Sequence, residues 1–207
     1  MPRLSDIASD NENYLCLNDI LASHEKVPCK FEMPVLRLGF LDTGTDVADI
    51  RPGAKLELPY WLARALCNRR RSIVSVELPK QYRAGYREIL EADASVVDLH
   101  KLGPFYYAFG MKLLNFELPE SRDIATSLLQ TFVTRFRGIM DSSQNALDAD
   151  MAALVARLDD HERALFALGQ RGLRAQQRWE TRQTDRITVS DMVLTHRKRK
   201  RTEMETS

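Results

Sequence analysis

The sequence predicts an α+β, mainly α protein: a C-terminal helical bundle preceded by a small β-rich module. Three observations carry that prediction. All eight prolines lie at or before Pro119 and six of nine glycines at or before Gly110, so the front is cut into short pieces. From Asp123 onward, apolar residues recur at helical spacing over two long stretches. Over Leu36 to Leu41 and again over Lys55 to Leu58 they alternate with polar residues instead, as in half-buried strands.

In chain order, the first predicted element is a short helix over Leu17 to His24, with Asn18 or Asp19 near its start. Brief runs follow at Lys30 to Phe31 and Leu36 to Leu41, the latter alternating Leu36, Leu38 and Phe40 with Arg37 and Gly39 as a strand does. The segments 41–46 and Arg51-Pro52-Gly53 carry turn chemistry, and Lys55 to Leu58 alternates again. A module of about four short strands or fewer sits at the lower size limit for an unaided core, so it must lean on something larger.

Pro59 is read as opening a helix with Leu58, Trp61, Leu62, Ala65 and Leu66 on one stripe, closed by Arg69 to Arg71. A brief extended run spans Arg71 to Leu78. Pro79 then starts a helix through Leu90 that turns Tyr82, Tyr86, Ile89 and Leu90 inward, and Asp98 caps one holding Leu102, Phe105, Phe109, Leu113 and Leu114, bent near Gly103-Pro104. From Asp123 to about Gln144 the row Ile124, Leu128, Phe132, Phe136 and Met140 is widened by Leu129, Val133 and Ile139. Asp148 to about Trp179 repeats the pattern, weakened at its far end by Gly169 and Gly172. The implied division is a β-rich module with its short helix over 1–56, a helical domain over 57–193 and a basic flexible tail over 194–207.

The 207 residues are 44% hydrophobic and 29% charged, with 30 Lys and Arg against 29 Asp and Glu. A net charge of +1 does not make the body a polycation that grips nucleic acid or anionic membrane. Three cysteines, Cys16, Cys29 and Cys67, point to a reducing compartment, and neither a secretory segment nor a membrane span is readable. Cys16, His24 and Cys29 have the spacing C-x7-H-x4-C, which matches no tight zinc module; they read as ordinary side chains. No G-x-S-x-G elbow, P-loop or G-x-G-x-x-G is present, and the four histidines have no triad context. Asp159-Asp160-His161-Glu162 reads as a solvated acidic face. No catalytic residue, metal ligand or cofactor site is therefore expected.

Two features resist a bland account. Phe105 to Phe109 carries aromatics almost all round, and the Leu128/Leu129 and Phe132/Val133 double row is wide. A well-filled core and burial against partner subunits both remain open. The other feature is Arg197-Lys198-Arg199-Lys200-Arg201, five consecutive cations that suit a nuclear-import signal, with nucleic-acid contact or a solubilising tail as alternatives. Without them 25 Lys and Arg face 29 Asp and Glu, so the body is mildly acidic, at −4.

The segments NYLCLNDILASHEK (13–26), KLELPYWLA (55–63), SVELP (75–79), VDLHKLGPF (97–105) and FRGIMDSSQN (136–145) closely resemble the third Psf-type subunit family of the eukaryotic GINS complex. The likeness runs collinearly from about Asn13 to the basic tail and departs most over 31–53. It implies a β-rich B domain followed by a helical A domain, in a heterotetramer whose A domains pack helix on helix. It further implies three sister GINS subunits, and assembly with the MCM hexamer and a cell-division-cycle partner into the replicative DNA helicase. The role so implied is structural and nuclear, in initiation and elongation of replication, with DNA contact indirect or weak and no membrane. By this resemblance the double rows become subunit surface. The residues expected in core or interface are Leu58, Trp61, Leu62, Phe105, Phe109, Phe132, Phe136, Ile139 and Met140, with Pro59, Gly103 and Pro104 setting backbone geometry.

Overall fold

The computed structural model describes residues 15–42, 48–67, 72–145, 151–183, 189–196 and 198. Helix α1 (Leu17–His24) begins where the sequence places it and leads directly into β1 (Lys26–Phe31). β1 is the centre of a three-stranded antiparallel sheet in the order β2-β1-β3, with β2 at Lys55–Pro59 and β3 at Val74–Val76. Cys29 pairs with Leu56 on one side and Val76 on the other. Val27, Cys29 and Phe31 alternate onto the buried face, as the period of two requires. The third strand thus comes from beyond residue 56. Gly53, at φ 87° in the turn before β2, donates its N–H to the Phe31 carbonyl at 2.7 Å, a conformation that suits glycine.

Leu36 to Leu41 is not a strand. Only Val35 bridges to Ile50; Arg37 sits at φ 60°, and Gly39–Leu41 closes a 3-10 turn that leaves Leu36 and Phe40 exposed. The alternation was genuine, but among the described residues no strand lies beside it to complete a ladder; Val35 with Ile50 and the Gly39 N–H on the Ala48 carbonyl are the backbone bonds it makes to 48–50. The Thr43 to Asp46 part of the predicted turn and the Arg69 to Arg71 helix end lie outside the described residues.

Pro59 ends β2 rather than opening a helix. Tyr60, whose N–H reaches the Glu25 carbonyl at 2.9 Å, starts α2 (Tyr60–Cys67) with no loop between. Tyr60 and Ala63 face inward, and the expected stripe is rotated so that Trp61 and Ala65 face out. Pro79 likewise caps only a 3-10 turn (Lys80–Tyr82). Arg83 is extended before α3 (Ala84–Asp93), so Tyr82 and Leu90 are buried while Tyr86 and Ile89 are exposed.

Asp98 does cap α4 (Leu99–Leu102), accepting from the Lys101 N–H, but Gly103-Pro104 ends that helix outright before α5 (Tyr106–Leu113). The long α6 (Ser121–Asn145) agrees with its prediction in extent. The helix read over 148–179 is instead two, α7 (Met151–Ala156) and α8 (Asp160–Glu180), broken at Arg157 to Asp159; 146–150 are outside the described residues. Gly169 and Gly172 do not end α8.

A single continuous core joins the sheet to the helices, from Phe31 and Val74 through Tyr60 and Tyr82 to Leu113 and Leu128. Tyr82 stacks on Tyr106 at 5.1 Å and sends its hydroxyl to the Tyr106 carbonyl at 2.7 Å. Tyr106, Tyr107 and Phe109 are all buried, so the aromatic run of α5 is filled by the chain's own side chains. A second cluster, Ile139, Leu158 and Phe166, ties α7 and α8 to α6.

Candidate subunit interface

The orientation of the outward surfaces is set by a buried polar node at the start of α8. Asp159-x-x-Glu162 is a capping box: Asp159 accepts the His161 N–H at 3.0 Å, and Glu162 accepts the Asp159 N–H at 3.3 Å. Such motifs are commonly solvated, yet both side chains here have no exposed area. The acidic face expected at 159–162 is therefore corrected in part: Asp159 and Glu162 are internal, because their carboxylates find donors on other helices, while Asp160 is half-buried and His161 exposed. The second oxygen of Asp159 accepts the Tyr106 N–H at 2.6 Å, capping α5, whose own N-cap Phe105 offers no side-chain acceptor. The Asp160 N–H returns to the Pro104 carbonyl at 3.0 Å, which is how the Gly103-Pro104 break seats α8.

Glu162 takes a bidentate pair from Arg135 of α6, Nε to Oε1 at 2.7 Å and Nη2 to Oε2 at 2.9 Å, and the Tyr107 hydroxyl donates to Oε1 at 2.9 Å. Arg135 Nη1 also donates to the carbonyls of Ala94 and Val97, at 2.6 and 2.8 Å. The guanidinium thus locks α6 to α8 and to the α3–α4 turn. Buried pairs contribute little over an apolar replacement, but stranding one partner costs about 3–5 kcal/mol, so the node fixes geometry more than it adds stability. Glu162 takes the guanidinium, and Asp159 is held by backbone N–H groups. Burial pushes Asp159 up to about 7 against its backbone donors, and burial with the neighbouring Glu162 raises the Tyr107 hydroxyl far above its usual range.

With Arg135 inward, the buried line of α6 runs Ile124, Leu128, Thr131, Arg135, Ile139 and Ser143. The two predicted rows are consequently divided: of the second, Leu129 is 66% exposed and Val133 63% while Ile139 is buried, and of the first, Phe136 is exposed beside half-buried Met140. Phe136 and Met140 line an apolar groove with Leu165, Leu168, Gly172 and Leu173 of α8. Gly169 lies over Ser143, where an added Cβ would collide with the serine side chain, so α6 and α8 approach closely. A separate groove between α1 and α2 is lined by Ile20, His24, Tyr60 and Trp61, the tryptophan 51% exposed. Two further contacts involve its lining residues: the Lys112 ammonium pairs with Asp19 at 2.8 Å and sits over the Tyr60 ring.

The residues singled out from sequence therefore separate. Leu58, Phe109 and Ile139 are buried; Pro59, Leu62, Gly103, Pro104, Phe105, Phe132 and Met140 are half-buried; Trp61 and Phe136 face outward. Of the basic run, Lys198 is described and exposed, while Arg197, Arg199, Lys200 and Arg201 lie outside the described residues. Sequence reasoning missed Arg135, Asp159, Glu162 and Tyr107, although the D-x-x-E capping box was readable. Burial pushes the Cys29 thiol up to about 12, which leaves it inert as a nucleophile. Among the described residues, no group of three or more His, Cys, Asp and Glu stands where it could hold a metal ion, and no helix is long and apolar enough to cross a membrane.

Residues 15–68 match the PSF3 N-terminal domain, and residues 81–181 match the GINS complex protein helical bundle domain. The chain is 57% identical to the DNA replication complex GINS protein PSF3 of Xenopus laevis over 189 residues, 91% of this chain and 90% of the relative. It is 54% identical to the Homo sapiens protein of that name over 94% of this chain and 92% of the relative. With the Mus musculus protein the identity is 52%, over 99% of this chain and 97% of the relative.

Proposed function

The chain belongs to the PSF3 family of DNA replication complex GINS proteins, and from that premise we propose that it is a non-enzymatic structural subunit of a heterotetrameric GINS complex. In this reading it holds three sister subunits through its helices. The complex then joins the MCM hexamer and a cell-division-cycle partner in the replicative helicase, in the nucleus, for initiation and elongation. The small front module and the helical portion act as its B and A domains, and the run Arg197 to Arg201 serves nuclear import.

One observation carries the proposal: α6 presents Leu129, Val133 and Phe136 outward although the core beneath it is complete. Apolar side chains aligned on one exposed helix face mark an association surface. Contact with DNA is indirect or weak, since the body outside the basic run is acidic on balance.

Co-expression with the three sister chains is the test. The expected product is a stable complex with all four chains in equal amounts, and its assembly survives removal of Arg197 to Arg201. A monodisperse lone chain that ignores the sisters and binds DNA with a steep salt dependence would overturn the reading.

A further inference from the structure

On the proposed reading of the chain as an assembly subunit, we infer that the distal half of α8 docks one amphipathic partner helix with acidic flanks, contributed by a sister subunit. Leu165, Leu168, Gly172, Ala175 and Trp179 recur at alternating intervals of three and four residues, the spacing by which one helix keeps a seam toward another. Among the described residues the seam is open. Leu168 and Trp179 are exposed, Trp179 at 66%, and a Cβ built on Gly172 meets nothing within 4 Å. No contact among the described residues therefore requires a residue as small as Gly172 there, whereas a closely approaching second backbone does.

The direction of packing explains why this stretch is bare. Glu162 meets Arg135 and Gly169 meets Ser143, so α6 and α8 run parallel, and Asn145 stands level with about Gly172. The remaining residues to Glu180 extend roughly 12 Å past that level, at 1.5 Å per residue. From Arg171 to Glu180 only Leu173 is half-buried; the others are exposed. A helix so little supported by its own chain is stabilised by whatever covers it.

Charge identifies the cover. Arg171 and Arg178 fall on the same flank of the seam, seven residues apart, and Arg174 lies between them one position further round. None of the three has a carboxylate partner among the described residues. The flanks of a helical seam select partners by opposite charge, so glutamates or aspartates one heptad apart fit Arg171 and Arg178. A single-stranded nucleic acid is the poorer match, because a binding track for one sets several aromatics along a basic groove and here Trp179 stands alone beside an aliphatic seam.

The test uses the full complex co-expressed with its sister chains, carrying Trp179→p-benzoylphenylalanine. Photolysis is expected to link this position to a sister-chain peptide with a three-four apolar spacing and acidic residues one heptad apart. Adding Arg171→Glu and Arg178→Glu should cut the cross-link about tenfold, while Arg171→Lys with Arg178→Lys keeps most of it. Absence of a cross-link, a link to a second copy of this chain, a link to added single-stranded oligonucleotide, or indifference to charge reversal would each overturn the inference. Those outcomes in an intact complex leave the assembly reading standing. Failure of the sister chains to co-purify would remove both.

Discussion

At the scale of single residues, the outward and inward faces of α6 are decided by a polar side chain. The row Ile124, Leu128, Phe132, Phe136 and Met140 has the better apolar spacing, yet the buried line passes through Thr131 and Arg135. Arg135 turns inward because Glu162, Tyr107 and two carbonyls satisfy its donors, and spacing alone cannot reveal a partner 27 residues away. Asp159 adds a pH dependence. Its folded-state value of about 7 lies above the unfolded carboxylate value, so the folded chain holds a proton that the unfolded chain releases. That contribution is fully present below about pH 4 and is lost as the pH rises through about 7. Asp159→Asn cannot ionise. In urea unfolding of the assembled complex, its stability relative to wild type should rise between pH 5 and 8; a constant difference would show that Asp159 is already ionised in the folded chain.

At the scale of elements, helix existence was legible and helix continuity was not. Leu17–His24 and the extent of α6 follow from apolar spacing. The breaks at Arg83 and at Arg157 to Asp159 do not, because Tyr82 and Asp159 leave helical register to reach Tyr106 of α5. Gly169 was read as a weakness and proves to be the contact point of α6 with α8. Gly169→Ala should therefore destabilise by about 1–3 kcal/mol, despite alanine's better helix propensity, by forcing the helices apart. Adding Ser143→Gly should recover most of the loss in thermal unfolding. Equal stability of the Gly169→Ala chain and wild type would place the helices further apart than described.

At the scale of the whole molecule, the collinear segments 13–26, 55–63, 75–79, 97–105 and 136–145 made the family legible, and the mainly helical class followed from where the prolines stop. What the sequence could not divide was core from surface, since Phe109 and Phe136 are equally apolar and differ only in what lies opposite. The fold separates them: the aromatics of α5 fill the chain's own interior, and Leu129, Val133 and Phe136 are left outside. The central claim is that this outer row holds partner subunits. Its most direct measurement is the amount of sister chain that co-purifies with Leu129→Glu/Val133→Glu relative to wild type, with circular dichroism as a check on helix content. Two charges in an apolar contact should reduce recovery at least about tenfold, with helix content unchanged. Undiminished recovery of all three sister chains would contradict the account.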